Sequence, residues 1–286
     1  MSATHASAAC SVELPDGVWR SQTPLWQTNS LVIGDHDSLV IDPAWTAGEI
    51  HAIVARCGEL GGRCSILLTH ADYDHVCGVG AFAGDVEVIA GTGTADRIAD
   101  GGADSALARA SREWGLSWEG RPRVDRVLTS GEEIECAGFA VRAIDARGHT
   151  ADGLAYVFPD LRLLVPGDYL SSITFPFVTG SVAETVATHE RLLAELEEGV
   201  DFVVPGHGPA HDGETATAIA RADLAYLQEL ASVARQTLAD GMSQGDALLA
   251  TYAVRPPRPN TDDFEVYGLR AHNCRAALAE RSRETP

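Results

Sequence analysis

The chain has 286 residues, a formal net charge of −20 and no lysine. Nucleic-acid binding needs a basic surface for the phosphates, so this charge argues against DNA and RNA as partners. No apolar run approaches the roughly 20 residues of a membrane span, and residues 1–10 lack the pattern of a secretory signal. We therefore expect a cytoplasmic protein without membrane contact, whose six cysteines are free thiols.

The first half of the chain is predicted to alternate strands with helices. Strands are expected at 12–19, 30–34, 38–41, 64–68 and 86–90. A helix is predicted over 46–60, where Thr46 and Glu49 match a capping box and Gly61 follows the end. A second helix is predicted over 105–114, with Asp104 as N-cap.

The second half repeats this alternation. Strands are predicted at 123–128, 139–144, 154–158, 161–165 and 201–204, and helices at 182–196, 214–240, 244–252 and 264–281. No linker or repeat divides the chain, so we predict a single domain over residues 1–286. Strand-rich halves separated by helices predict two packed sheets with helices outside.

A dense group of metal-ligand residues follows the predicted strand at 64–68. Four such side chains fall within six residues: His70, Asp72, Asp74 and His75. Imidazole and carboxylate ligands together suit zinc, iron or manganese. The alternative is a polar surface loop, which the density of ligand types and the three loops downstream argue against.

Three later loops share one pattern, in which a β-rich run leads to glycine and then to a ligand-type residue. They are Gly148-His149, Gly167-Asp168 and Gly206-His207. Glycine lets the backbone turn sharply and approach an ion closely. A single Gly-His pair is weak evidence, but three such loops behind the dense motif strongly indicate one metal site.

These motifs resemble those of the metallo-β-lactamase superfamily, in which His-x-His-x-Asp-His is followed by Gly-His, Gly-Asp and Gly-His. The resemblance runs from about Val12 to the last predicted helix. It implies an α/β fold, the αβ/βα four-layer sandwich, with the metals at one edge between the sheets. It also implies that C-terminal helices, at about 214–286, wall the cleft.

The resemblance implies two divalent metal ions. Zinc is the expected metal, and iron and manganese are the alternatives. The ligands of the first ion would be His70, Asp72 and His149, and those of the second Asp74, His75 and His207. Asp168 would bridge the ions, and Asp42 would brace the metal loops without binding metal.

Asp72 departs from the family pattern, which has histidine at this position. As a ligand it would make the first site harder and more negative, favour iron or manganese more than three imidazoles do, and acidify a bound water less. Alternatively, Asp72 lies outside the ligand set and the first site is poorly occupied.

The resemblance implies a hydrolase of the glyoxalase II or lactonase type. A dinuclear site acidifies a bound water to hydroxide and polarises a carbonyl oxygen, while Asp74 and Asp168 would serve in catalysis. We predict a small, hydrophobic ester, thioester or lactone as substrate, and leave a homodimer open. The alternatives are an iron-dependent oxygen- or sulfur-oxidising enzyme, suggested by Asp72, and a non-catalytic relative that binds metal or ligand.

Candidate substrate contacts are Trp45 at the mouth of the site, Tyr169, Phe175 and Phe177. Core packing is the alternative for the two phenylalanines. Basic residues for the carboxylates of a glutathione thioester would be Arg255, Arg258 or Arg270. Cys77 would serve as a ligand or an oxidation-sensitive thiol, or pack as a small apolar residue, which is the commoner role.

Overall fold

The computed structural model describes residues 12–259 and 268–284, and within them two six-stranded sheets. The first sheet consists of β1 Val18–Gln22, β2 Asn29–Ile33, β3 Ser38–Ile41, β4 Cys64–Leu68, β5 Glu87–Gly91 and β6 Arg126–Leu128. The second consists of β7 Glu133–Cys136, β8 Phe139–Asp145, β9 Leu154–Phe158, β10 Leu163–Val165, β11 Phe202–Val203 and β12 His211–Asp212.

Eight α-helices are described. They are α1 Ala47–Leu60, α2 Tyr73–Val76, α3 Thr92–Ala99, α4 Gly102–Trp114, α5 Val182–Glu198, α6 Gly213–Ala239, α7 Gln244–Ala253 and α8 Leu269–Glu284.

Each sheet keeps its strands in chain order. In the first sheet β1 to β3 are antiparallel and β3 to β6 are parallel. In the second sheet β7 to β10 are antiparallel, β10 and β11 are parallel, and β12 closes the edge antiparallel to β11. The candidate ligands follow β4 in the first sheet and β8, β10 and β11 in the second.

Three apolar cores bind the layers together. Between the sheets, Leu31 and Ile41 belong to the same buried cluster as Tyr156 and Phe158. A second cluster joins the outer face of the first sheet to α1, and a third joins the outer face of the second sheet to α5 and α6. The predicted four-layer α/β sandwich is therefore confirmed.

The predicted elements match the structure with a few differences. Helix α1 has the capping box between Thr46 and Glu49, and Gly61 ends it in a left-handed conformation. Helix α4 begins earlier than predicted, with Gly101 at its N-cap, so Asp104 lies in its first turn. Strand β1 starts at Val18, and both β7 and α3 were not predicted.

The last four helices include the segment predicted to wall the cleft. Helix α6 packs against α5 and α8, and α7 packs against α6 and α8. Residues 264–267 of the predicted last helix lie outside the described residues. Over residues 12–259 and 268–284, no helix is both long enough and apolar enough to cross a membrane. The single domain stays a prediction.

Candidate metal centre

The candidate ligands come from loops at the ends of four strands. After β4, the chain presents His70 and Asp72 and then forms the single turn α2, which carries Asp74 and His75. His149 follows β8, Asp168 follows β10, and His207 follows β11. The loops of both sheets therefore meet at one edge of the sandwich.

These side chains form three groups in which the possible ligand atoms lie within 4.8 Å of one another. The groups are His70 with Asp72 and His149, then Asp74 with His75 and His207, and finally His70 with His75 and Asp168. The first two groups match the two ligand sets implied by the family resemblance. Asp168 lies between them, since its Oδ1 is 3.1 Å from His75 Nε2 and its Oδ2 is 3.3 Å from His149 Nε2.

The four histidine rings are held by bonds on the Nδ1 side. His75 Nδ1 donates to Asp42 Oδ2 at 2.9 Å, and His149 Nδ1 donates to the Phe177 carbonyl at 2.7 Å. Nδ1 of His207 lies 3.1 Å from the Trp26 carbonyl, and that of His70 lies 3.0 Å from the Thr69 hydroxyl. These acceptors place a hydrogen on Nδ1, so Nε2 of each ring faces the centre and can bind a metal once it carries no proton.

Asp42 braces the loop that carries the dense motif, as the resemblance implies. It accepts the Thr69 backbone N–H at 2.8 Å and the Thr69 hydroxyl at 2.5 Å, in addition to the His75 ring. Its carboxylate is thus occupied by three donors and is not available as a ligand.

Glycine at position 206 permits the close approach of two ligand loops. A Cβ there would lie 2.1 Å from Asp168 Oδ1 and 2.9 Å from Cε1 of the His75 ring. Any larger residue at this position would collide with Asp168 and His75, so the close approach of the loops requires glycine here.

Two side chains of the centre, His149 and Asp168, have pKa values far from those they have in water. Burial opposes charge on His149, but the nearby carboxylates of Asp72 and Asp168 raise its pKa to about 9. Burial would likewise raise the pKa of Asp168, yet the rings of His207 and His75 hold it well below the usual range.

Several atoms of this cluster lack a protein partner, which is the test of whether a metal fits. Nε2 of His70, His75 and His149 and Oδ1 of Asp168 are buried without a hydrogen bond. Buried polar atoms normally have a hydrogen-bond partner, so four atoms without one that face the same volume indicate a missing partner. Nitrogen and oxygen donors at these spacings fit a pair of divalent cations.

Two residues that contact this centre escaped the sequence analysis. Arg97 on α3 lies 2.5 Å from Asp72 Oδ1 and 3.0 Å from Asp152 Oδ1. Asp152 Oδ2 in turn accepts the Ala71 N–H at 2.8 Å. Arg97 therefore neutralises part of the negative charge that Asp72 brings to the first ligand group.

The structure corrects two of the four candidate substrate contacts. Trp45 is fully buried, stacked on Trp26 and Trp118 at centroid distances of 5.8 and 5.5 Å, so it does not lie at the mouth. Phe175 is buried in the same apolar cluster as Trp26 and Trp45, and its ring packs edge-on against that of Tyr226 at a centroid distance of 5.8 Å. Both side chains belong to the core.

The other two candidates remain beside the ligands. The Tyr169 hydroxyl accepts the His149 N–H at 2.8 Å and donates to the Arg147 carbonyl at 3.0 Å, so it positions the His149 loop. Phe177 is half-buried, with its ring 5.8 Å from that of His149. Both line a cavity of about 10 Å³ beside His149 and Asp168, room for about one water. Phe177 stays a candidate substrate contact.

Cys77 and two of the arginines are engaged elsewhere. The Cys77 thiol is buried and points toward the carbonyls of Trp45 and Pro43, and burial raises its pKa well above the usual value. Arg258 bonds the Asp223 carboxylate and the Thr174 carbonyl, and Arg270 bonds the Tyr252 and Val254 carbonyls. Arg255 is exposed.

Comparison with known proteins agrees with the fold and the motif pattern. A hydroxyacylglutathione hydrolase of Acidiphilium cryptum is 35% identical over 136 residues, which are 48% of this chain and 46% of that protein. The chain thus spans about half the length of this curated relative.

Solved structures share the fold more widely. The sec-alkylsulfatase Pisa1 from Pseudomonas sp. superposes with a TM-score of 0.72 and 15% identity, over 94% of this chain and 49% of that one. The protein TTHA1623 in a di-iron-bound form gives a TM-score of 0.54 and 25% identity, over 71% of this chain and 98% of that one. Residues 23–215 match the family model of the metallo-beta-lactamase superfamily, and this chain therefore belongs to that superfamily.

Proposed function

We propose that this protein is a dinuclear metal-dependent hydrolase of a small, apolar ester, thioester or lactone. The observation that carries the proposal is the pair of ligand groups joined by Asp168, with buried unpartnered donor atoms facing one volume. Its family membership and its partial similarity to a hydroxyacylglutathione hydrolase support the hydrolytic chemistry.

When bound, the two ions would supply Lewis acidity for a carbonyl oxygen and acidify a water molecule. The protein contributes orientation and a proton acceptor. Asp74 is 5% exposed, with its Oδ2 3.4 Å from His207 Nε2, so its carboxylate lies inside the centre. From there it would orient the attacking water and carry its proton to the leaving group.

The side chains around the centre favour an uncharged substrate. Tyr73, between two candidate ligands in the chain, and Phe177 are half-buried and pack against the apolar cluster of Trp26 and Trp45. Arg97, Arg258 and Arg270 are each engaged in ion pairs or backbone bonds, so none of them is available to bind a free carboxylate. The exposed Arg255 does not line the cavity beside His149 and Asp168. We therefore favour an apolar acyl group over a glutathione thioester.

The test combines metal analysis with a substrate screen on protein purified without chelator. We expect two zinc ions per chain, and higher kcat/KM for uncharged aryl esters and lactones than for a hydroxyacylglutathione thioester. Asp168→Asn should lose at least one ion and most of the activity, because a bridging carboxylate holds both ions.

A surface variant serves as the matched control. Asp201→Asn removes a carboxylate that pairs with Arg162 at the far end of β11, outside the ligand groups. Metal content and activity should be unchanged in it. Full activity and two ions in Asp168→Asn would refute the proposed centre, and a preference for the glutathione thioester would refute only the substrate class.

Iron-dependent oxidation on the same centre is the second candidate, because Asp72 contributes a carboxylate to the first ligand group. The likeness to TTHA1623 in its di-iron-bound form supports keeping it. Purified protein that contains iron, shows a visible absorption band and consumes oxygen would favour this function over hydrolysis.

A further inference from the structure

The backbone places Asp72 at the N-cap of α2, but its side chain does not cap that helix. Asp72 has extended backbone angles, and its carboxylate makes no hydrogen bond to the first turn. An aspartate at this position normally accepts a backbone N–H of the turn that follows. The two oxygens of its carboxylate contact other residues instead.

Each oxygen of Asp72 faces a different partner. Oδ2 faces the centre, 3.5 Å from His149 Nε2 and 3.7 Å from His70 Nε2. Oδ1 faces outward and bonds the guanidinium of Arg97 at 2.5 Å. Arg97 therefore leaves one oxygen of the carboxylate available to the centre.

Arg97 is itself held in place by the loop that follows His149. Its second nitrogen bonds Asp152 Oδ1 at 3.0 Å, and the Thr94 hydroxyl bonds the Asp152 carbonyl at 2.8 Å. Helix α3 lies so close to this loop that a Cβ at Gly93 would be 2.9 Å from the Asp152 Cα. Arg97 is a fixed part of the structure rather than a mobile surface cation.

We propose that Arg97 is a positioning and metal-selectivity residue, which holds Asp72 as a one-oxygen, partly neutralised ligand that can replace an imidazole. This inference rests on the proposed metal centre. An unrestrained carboxylate offers two oxygens and a full charge, which suits the harder, six-coordinate Mn²⁺. A single restrained oxygen suits the four-coordinate geometry of Zn²⁺.

The test measures the ratio of Zn²⁺ to Mn²⁺ affinity by competition titration of metal-free protein, a readout independent of catalysis. We expect Arg97→Gln to lower this ratio about tenfold, in the range found when partners of metal ligands are removed. In the Asp72→His background, the same substitution should leave the ratio unchanged within about twofold, because no carboxylate oxygen remains to be restrained.

Arg142→Gln is the matched control. Arg142 makes two bonds, of 2.8 and 2.6 Å, to Glu195, and its side chain is 29% exposed where that of Arg97 is 31% exposed. It should lower stability without changing the metal ratio. If Arg97→Gln does not fold, Arg97→Lys, which keeps the charge but loses the planar fork, should lower the ratio by less than tenfold in the Asp72 protein only.

Two outcomes would overturn the inference, and they are distinguishable. In the first, wild-type protein binds two ions, but Arg97→Gln leaves the Zn²⁺ to Mn²⁺ affinity ratio unchanged or changes it equally in the Asp72 and Asp72→His backgrounds. This outcome refutes the role of Arg97 and leaves the metal centre standing. Wild-type protein that binds neither Zn²⁺ nor Mn²⁺ removes the proposed centre and this inference with it.

Discussion

The His149 ring of the candidate centre must release a proton before it can bind metal. Burial opposes charge on His149, but the carboxylates of Asp72 and Asp168 raise its pKa from 6.5 to about 9. In the metal-free protein this ring is therefore protonated at neutral pH. The same shift stabilises the metal-free fold below about pH 6.5, and this contribution is lost as the pH rises through about 9.

We predict that Zn²⁺ binding at pH 7 releases at least one proton per chain, and that apparent affinity falls as the pH falls below about 9. Titration calorimetry in two buffers of different ionisation enthalpy measures the proton count. The exposed His36, which lies outside the ligand groups, gives the control His36→Gln, with an unchanged count. Equal affinity at pH 6 and pH 8 would contradict the prediction.

At the scale of elements, the position of α5 depends on a glycine in a ligand loop. Gly148 has φ +124°, and a Cβ there would lie 2.3 Å from the backbone nitrogen of Thr185. Helix α5 therefore packs directly on the loop that carries His149.

We expect Gly148→Ala to lower the free energy of unfolding by about 2–5 kcal/mol, from backbone strain and overpacking together. Gly131→Ala is the control, since Gly131 has φ +84° with no atom near the added Cβ, and it should cost only about 1–2 kcal/mol. Denaturant unfolding measures both variants. Equal losses would show that α5 yields to the added methyl group.

Helix α8 supports the segment 176–178, which contacts the His149 ring, through one buried side chain. Asn273 is 0% exposed, donates to the Pro176 carbonyl at 2.6 Å and accepts the Val178 N–H at 3.0 Å. These bonds flank Phe177, whose carbonyl holds the His149 ring.

Asn273→Leu should therefore lower the free energy of unfolding by about 2–5 kcal/mol, because it leaves two backbone groups unsatisfied. Thr237→Val is the control, since the buried Thr237 hydroxyl bonds only its own helix, at Ala234. Thermal and denaturant unfolding of both variants give the comparison. A loss in Asn273→Leu no larger than in the control would mean that water or relaxation replaces the lost bonds.

The sequence predicted those parts of the centre that depend on local spacing. The dense motif and the Gly-ligand loops are visible because each lies directly behind a strand. Helix α3 was missed because Thr92–Ala99 is short and rich in small and polar residues. Arg97 was missed together with this helix. Its partners lie 25 and 55 positions away in the chain, and a single sequence shows no pattern for contacts at that separation.

The burial of Trp45 was missed for a related reason. It depends on rings from two distant parts of the chain, Trp26 on one side and Trp114 and Trp118 on the other. A tryptophan directly after a site loop is compatible with a mouth or with a core, and only the tertiary packing decides between them.

At the scale of the whole molecule, the centre lies where the two sheets meet. His70, Asp72, Asp74 and His75 follow a strand of the first sheet, whereas His149, Asp168 and His207 follow strands of the second. Bound ions would therefore connect the two halves of the sandwich. The lack of nucleic-acid binding and the cytoplasmic location stay predictions, and a homodimer stays open.

We predict that removing metal with a chelator lowers the unfolding temperature by several degrees. An ion present at about 100 times its dissociation constant stabilises the fold by about 2.7 kcal/mol, which for a chain of this size corresponds to roughly 4–5 °C. Loss of the ions also leaves the buried carboxylates and imidazoles without a common partner. Differential scanning calorimetry with and without chelator measures the shift. The control is the double variant Asp168→Ala, His207→Ala, which should respond less than the wild type because it removes the bridge and one ligand of the second group, while the first group remains. A wild-type transition that does not move with chelator would mean that the two sheets are held together by their apolar core alone.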